Sequence, residues 1–193
     1  MPDWESTFNS LKAQGKTFND VLEIGCFEGR ATVWVCENIL KEGANYDIVD
    51  TFGGTLEETG MGSAGELLSK DQNAIFNTFR HNISFHYSRI NFNIFREYSQ
   101  QALPKLVAQK KQYDFIYVDA SHRADDTFVD AYYANKLLRP GGLIIFDDFG
   151  WKDPNKPRPI SSPELGVRVF FTMYDEEYGT LFQGYQVGAL KLK

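Results

Sequence analysis

Three carboxylates stand at the tips of two short apolar runs. The first run is Asp114-Phe115-Ile116-Tyr117-Val118-Asp119, and the second is Gly142-Leu143-Ile144-Ile145-Phe146-Asp147-Asp148. Asp119 and Asp147 lie 28 residues apart. Strands of a parallel sheet are covered on both faces and read as continuous apolar runs. Open sheets of this kind bind ligands just outside the carboxyl ends of their strands. Three acids delivered to that edge therefore suggest a reactive site, with a metal among its candidate tenants.

A second group of chemistry-bearing residues lies earlier. Val21-Leu22-Glu23-Ile24 reads as a strand stopped by Gly25, and Gly25-Cys26-Phe27-Glu28-Gly29 leads into a helix. A glycine directly after a strand lets backbone approach a ligand closely. Asp50 ends the next strand, Tyr46 to Asp50. An acid in that place can hold both hydroxyls of a ribose. The plainer reading is a tight turn and a surface aspartate; the glycine and the acid together favour a nucleoside. The glycine spacing G-x-x-x-G differs from the dinucleotide pattern G-x-G-x-x-G, which argues against a nicotinamide-dependent oxidoreductase.

These residues need a scaffold, and the rest of the chain reads as one. A short helix is expected over 4–12, another over 29–40 and a third over 71–82. Residues 83–95 are ambiguous and have room for a third strand. A loop from Tyr98 to Pro104 enters a helix ending near Lys111. A helix over 125–138 is followed by the turn Arg139-Pro140-Gly141-Gly142, and Ser162-Pro163-Glu164 has the Ser cap and first-position Pro of a helix start. Residues 181–192 supply one or two strands. Strands alternating with helices predict an α/β doubly wound, Rossmann-like parallel sheet. The 193 residues form one domain, with a flexible loop or lid over 51–70 and a proline-rich loop over 150–163. Loops of such length in compact domains are usually functional or disordered.

Composition narrows the partners. The net charge is −6, so there is no basic excess to release counterions from nucleic acid or an anionic membrane. No run is long and apolar enough to span a bilayer. Two cysteines, Cys26 and Cys36, make no disulfide framework, and the first residues show no signal peptide, so a cytoplasmic location is expected.

Taken in order, these segments resemble class I S-adenosylmethionine-dependent methyltransferases, in the metal-dependent catechol and sugar O-methyltransferase-like branch. Glu23 to Gly29 resembles the first motif of that family, and Asp50 its ribose-binding acid. Ser99-Gln100, before Leu103-Pro104, resembles the segment that meets adenine. The resemblance covers residues 17 to 150. It implies a seven-stranded sheet, mostly parallel with an antiparallel last strand, and S-adenosylmethionine as cofactor. The implied cofactor residues are Glu23, Gly25, Gly29, Asp50, Ser99, Gln100 and Asp119. The implied metal ligands are Asp119, Asp147 and Asp148, holding Mg2+ or another divalent cation.

The implied reaction is O-methylation of a small hydroxylated acceptor, a sugar or a diol. A metal would chelate two acceptor oxygens and lower the pKa of one hydroxyl. A base must take the proton, and His122 is the candidate beside Asp119. The chain departs from the catechol enzymes, which place a lysine at the His122 offset, and from the sugar enzymes, which place an acid where Ser121 stands. Two alternatives stay open: a metal-independent methyltransferase with a different acceptor, and a cofactor-binding module without catalysis. The N-terminal arm, about 17 residues before the first strand, is shorter than the one many relatives use to cover the site or dimerise over it; a homodimer is a candidate assembly. His81 and His86 read as surface or structural residues, Cys26 as packing, and Trp151, Arg123 and Phe52 as either site walls or framework.

Overall fold

The computed structural model describes residues 2–54, 71–153 and 158–193. The elements run α1 (Pro2–Ala13), β1 (Asp20–Ile24), α2 (Arg30–Asn38), β2 (Asn45–Val49), α3 (Ala74–Ile83), β3 (Asn91–Phe95), α4 (Ser99–Ala108), β4 (Tyr113–Val118), α5 (Ala124–Leu137), β5 (Leu138–Phe146), α6 (Pro163–Met173), β6 (Tyr178–Gln183) and β7 (Val187–Lys191). The sheet has seven strands in the order β3-β2-β1-β4-β5-β7-β6. The first five pair in parallel, and β7 runs antiparallel to both β5 and β6. The order reverses between β1 and β4, which is where a ligand crevice opens in a doubly wound sheet.

Alternation along the strands assigns the two faces. Val21, Tyr46, Ile48, Phe115, Tyr117, Leu143 and Ile145 pack under α1, α2 and α3. Leu22, Ile24, Val49, Ile116, Val118, Ile144 and Phe146 pack under α4, α5 and α6. A period of two sends successive side chains to opposite faces, and both faces are apolar because both are covered. Trp4 anchors α1: it is fully buried, meets Tyr117 edge-on at 4.7 Å between ring centroids, and donates its indole N–H to Gln186 Oε1 at 2.8 Å.

Two local expectations are corrected. The stretch Tyr98 to Pro104 is not a loop: α4 begins at Ser99 and carries Pro104 inside it. Burial of Ala102, Leu103 and Leu106 outweighs the amide hydrogen that proline withholds. The turn Arg139 to Gly142 lies within β5 as an irregularity, where pairing with β4 skips from Leu138 to Leu143. Arg139 fixes it by ion pairs to Asp20 at 2.8 Å and Asp114 at 2.6 Å. The ambiguous middle segment resolves into the end of α3, a short 3-10 turn and β3. Ser162 does cap α6, accepting the Glu164 N–H at 3.3 Å. Most of the expected 51–70 lid and part of the proline-rich loop lie outside the described residues. No described helix is long and apolar enough to cross a membrane.

Candidate active site

A cavity of about 510 Å3 opens at the carboxyl edge of the sheet. Its lining includes Gly25 after β1, Asp50 after β2, Ser99 and Gln100 at the start of α4, and Asp119 after β4. Five residues named from sequence are thus gathered into one space. At Gly25 φ is +83°, and a Cβ there would lie 2.0 Å from the carbonyl oxygen of Asp119. Only glycine lets the β1 turn close against the end of β4.

Asp50 holds the turn above that glycine. Its Oδ2 accepts the backbone N–H groups of Cys26 at 2.7 Å and Phe27 at 2.9 Å, and its Oδ1 accepts Phe52 N–H at 2.6 Å. A carboxylate offers about four acceptor positions. Oδ1 therefore retains capacity for a ligand hydroxyl while the carboxylate orders the loop. Phe27, Phe52 and Asp148 adopt left-handed backbone with φ of 50°, 55° and 51°. All three follow strand ends at this edge, where strained backbone commonly accompanies function.

Two further residues expected at the cofactor, Glu23 and Gly29, are not among those lining the cavity. Glu23 is fully buried beneath the turn, where its Oε2 accepts Thr32 Oγ1 at 2.6 Å and Tyr46 OH at 2.8 Å. Burial pushes its carboxyl up to about 7, against the two hydrogen bonds. Gly29 is the N-cap of α2, and a Cβ there would lie 2.8 Å from the Phe79 ring, so it serves the seating of α3. Alternation explains the place of Glu23: it points to the α1–α3 face, whereas the cavity lies beyond the strand tips. His86 is buried and His81 exposed, both away from the cavity.

The three strand-tip acids do come near one another. Asp119 is pushed well above the carboxylate range by burial first, then by the charges of Asp147 and Asp148. Several of their oxygens also have hydrogen-bond partners. Tyr117 OH lies 3.0 Å from Asp119 Oδ2 and also bonds Asp147 Oδ2. Asp147 Oδ1 accepts the Asp148 N–H at 2.7 Å. Asp148 turns away to His122, whose Nε2 is 2.9 Å from Oδ2, and to the Tyr185 hydroxyl. Burial opposes its ionisation, but these two partners hold Asp148 below the usual range.

Among the described residues no group of three or more His, Cys, Asp and Glu side chains is arranged to hold a metal ion. The three acids expected to hold a cation are joined here by hydrogen bonds to Tyr117, His122 and Tyr185. A phenol hydroxyl has one proton and here faces two carboxyls, so a proton shared from Asp119 through Tyr117 to Asp147 satisfies all three. His122 stands beside this cluster with its ring 4.3 Å from that of Trp151.

Tyr117, Tyr185, Asp126 and Asp130 were not singled out from sequence. Tyr117 carried a signal, because residues two apart on a strand share a face and Asp119 follows it by two. Asp126 and Asp130 are spaced for one helix face. Tyr185 arrives from the hairpin between β6 and β7, for which the local sequence gives no sign.

The model of a family described as "Methyltransferase domain" matches residues 22–149. A search of curated protein sequences gave no match. Similar solved structures include an O-methyltransferase from Bacillus cereus in complex with SAH, at TM-score 0.61 and 18% identity, covering 97% of this chain and 80% of that one. Another is TomG from Streptomyces achromogenes, an O-methyltransferase involved in tomaymycin synthesis, in complex with SAM, at TM-score 0.65 and 17% identity over 100% and 80%. A third is the O-methyltransferase NovP, at TM-score 0.66 and 13% identity over 98% and 78%. Likeness at these identities establishes a shared fold.

Proposed function

This chain belongs to the methyltransferase-domain family, and we propose that it transfers the methyl group of S-adenosylmethionine to an oxygen of a small hydroxylated molecule, a sugar or a diol. The observation that carries this reading is the single cavity lined by Gly25, Asp50, Ser99, Gln100 and Asp119. A nucleoside fits with its ribose at Asp50 and its base at the start of α4, which directs the sulfonium end toward Asp119. Methyl transfer is an in-line displacement, so holding donor and acceptor oxygens in line supplies much of the rate.

The acceptor hydroxyl must lose a proton, and we assign that proton to the His122–Asp148 pair. Asp148, held ionised by its partners, fixes the imidazole and stabilises its charged form. Trp151 and Tyr185 flank the pair and form walls for the acceptor. Oxygen as the accepting atom is supported by this proton-accepting pair and by the activity named for the similar structures.

The residues present do not match a divalent-cation site, so no step is routed through one. The metal-assisted alternative has one observation in its favour. A cation would relieve the crowding of negative charge on Asp119. Calorimetry with S-adenosylhomocysteine, followed by turnover on a panel of sugars and diols with and without chelator, tests the whole reading. Binding with turnover that chelator leaves intact is expected. Binding without turnover would favour a cofactor-binding module, and loss of activity with chelator would restore the metal.

A further inference from the structure

We propose that the open edge of β3, with Arg80 and Arg96 beside it, is a docking surface for an acidic, extended segment of a partner protein, which joins the sheet as a further strand.

The charge pattern comes first. The chain carries 26 acidic residues and a net charge of −6, yet no acid lies between Asp71 and Glu97. That stretch supplies α3 and β3 and holds Arg80, Arg89 and Arg96. Arg89 donates to the Leu40 carbonyl oxygen at 3.3 Å. Arg80 and Arg96, both exposed, converge on one ring: their guanidinium carbons lie 5.8 and 4.8 Å from the centroid of Phe76. No described carboxylate forms an ion pair with either of them. The flanking acids are engaged elsewhere. Asp71 accepts the Asn73 N–H at 2.8 Å and Asn77 Nδ2 at 3.3 Å, and Glu97 pairs with Lys105. Two guanidinium groups gathered on one aromatic ring, without an acid of their own, suit carboxylates.

The backbone beside them is unpaired. β3 ends the sheet and pairs only with β2. Asn91 donates its N–H to the Ala44 carbonyl at 2.8 Å, and the Phe95 carbonyl accepts the Asp50 N–H at 3.1 Å. Alternate residues of a strand turn their peptide groups to opposite neighbours, so Asn91, Asn93 and Phe95 face β2 while Phe92 and Ile94 face outward. Those two peptide groups have no hydrogen-bond partner among the described residues. Sheet edges are ordinarily blunted by a charge, a proline or a bulge. β3 has none of these, and its register with β2 is continuous from Asn91 to Phe95. The opposite edge, β6, is interrupted by a register shift between Thr180 and Phe182. Near the amino end of β3, Phe85 is 80% exposed, and Tyr87 is 46% exposed with its ring 5.5 Å from that of Phe92. An added strand gains affinity from its backbone and specificity from such side-chain contacts.

Charge complementarity selects the occupant. A second copy pairing through its own β3 would bring another acid-free stretch and leave both arginines without a carboxylate. Nucleic acid has no peptide groups to offer Phe92 and Ile94. An acidic extended segment satisfies the arginines and the strand edge together.

The test is fluorescence anisotropy with a labelled peptide of alternating Glu and Val, about eight residues long, and its counterpart of alternating Lys and Val. Wild type should bind the Glu peptide at least tenfold more tightly, and high salt should shrink that difference. Arg80→Glu combined with Arg96→Glu, at exposed positions, should invert the preference. Hydrogen exchange on wild type reads the backbone separately. The amides of Phe92 and Ile94 should become protected when the Glu peptide binds, whereas Asn91 and Asn93 are protected throughout. Absence of Glu-peptide binding, equal affinity for the two peptides, or a preference that survives charge reversal overturns the proposal. Unchanged exchange at Phe92 and Ile94 overturns it as well, because the peptide would then be held by charge alone. Tighter binding of a single-stranded oligonucleotide or of anionic vesicles through the same arginines, or protection of the same amides by self-association, would assign the edge to another occupant and overturn the acidic segment.

Discussion

Tyr117 donates its hydroxyl to Asp147 across the junction of β4 and β5, and the same oxygen lies 3.0 Å from Asp119. One phenol therefore ties together two of the three strand-tip acids. Removing it leaves buried carboxyl oxygens without a donor, which typically costs about 1–3 kcal/mol. Tyr117→Phe should lower stability by that amount in denaturant titrations. It should also reduce kcat at least tenfold while S-adenosylhomocysteine affinity stays within about twofold. An unchanged kcat would remove the cluster from the reaction.

Asp148 offers a cleaner test of charge. Its φ of 51° is left-handed, a region that asparagine tolerates nearly as well as aspartate. Asp148→Asn thus removes charge without adding backbone strain. The ion pair with His122 is partly exposed, so the loss of stability should be about 1 kcal/mol or less. Loss of an oriented base costs about 10²-fold or more in rate. Full activity in this variant, measured by homocysteine release, would refute the assignment of the proton to the pair.

Glu23 should impose an unusual pH dependence on stability. Its folded carboxyl is raised from 4.5 to about 7, mainly by burial. The sign follows from proton binding: between those values the folded state keeps a proton that the unfolded state has lost. Its contribution is fully present below pH 4.5 and is lost as pH rises through about 7. Glu23→Gln imitates the protonated acid. Relative to wild type, it should gain on the order of 2–3 kcal/mol between pH 5 and pH 8. Parallel stability curves for the two proteins would count against a protonated Glu23.

Gly25→Ala combines two penalties, a left-handed φ and a Cβ 2.0 Å from a backbone oxygen. Strain of the first kind alone costs about 1–3 kcal/mol, and overpacking adds a similar amount. The variant should unfold at least 3 kcal/mol more readily and lose measurable cofactor binding. By contrast, Gly43→Ala, also left-handed but with nothing within 4 Å of the added carbon, should retain binding.

Much of this arrangement was legible in the chain because it depends on local patterns. Asp50 and Gly25 stand at strand ends marked by apolar runs, and the end of a strand fixes what faces the crevice. The doubly wound parallel sheet follows from the same alternation, whereas its seven strands with an antiparallel last strand are what the family resemblance implies. The burial of Glu23 was not legible, because its neighbourhood to Gly25 in sequence hides that it points down into the core toward Thr32 and Tyr46. The metal clamp was not decided by the sequence for another reason. Three acids at strand tips can be neutralised by a cation or by hydrogen-bond donors, and the donors come from Tyr117, His122 and Tyr185. Tyr185 is brought in by pairing of β7 with β5, a long-range event that no local window encodes.

The bond between Trp4 and Gln186 spans 182 positions of the chain. On the ribosome the first helix therefore emerges long before the hairpin that completes its seat. Until β4 follows, the face of Trp4 that rests on Tyr117 has no strand beneath it. Domains fold as units once their parts are available. The acid cluster above Tyr117 is accordingly among the last features to form during synthesis. A nascent chain halted before residue 186 would lack the acceptor that the finished protein supplies to the indole N–H of Trp4.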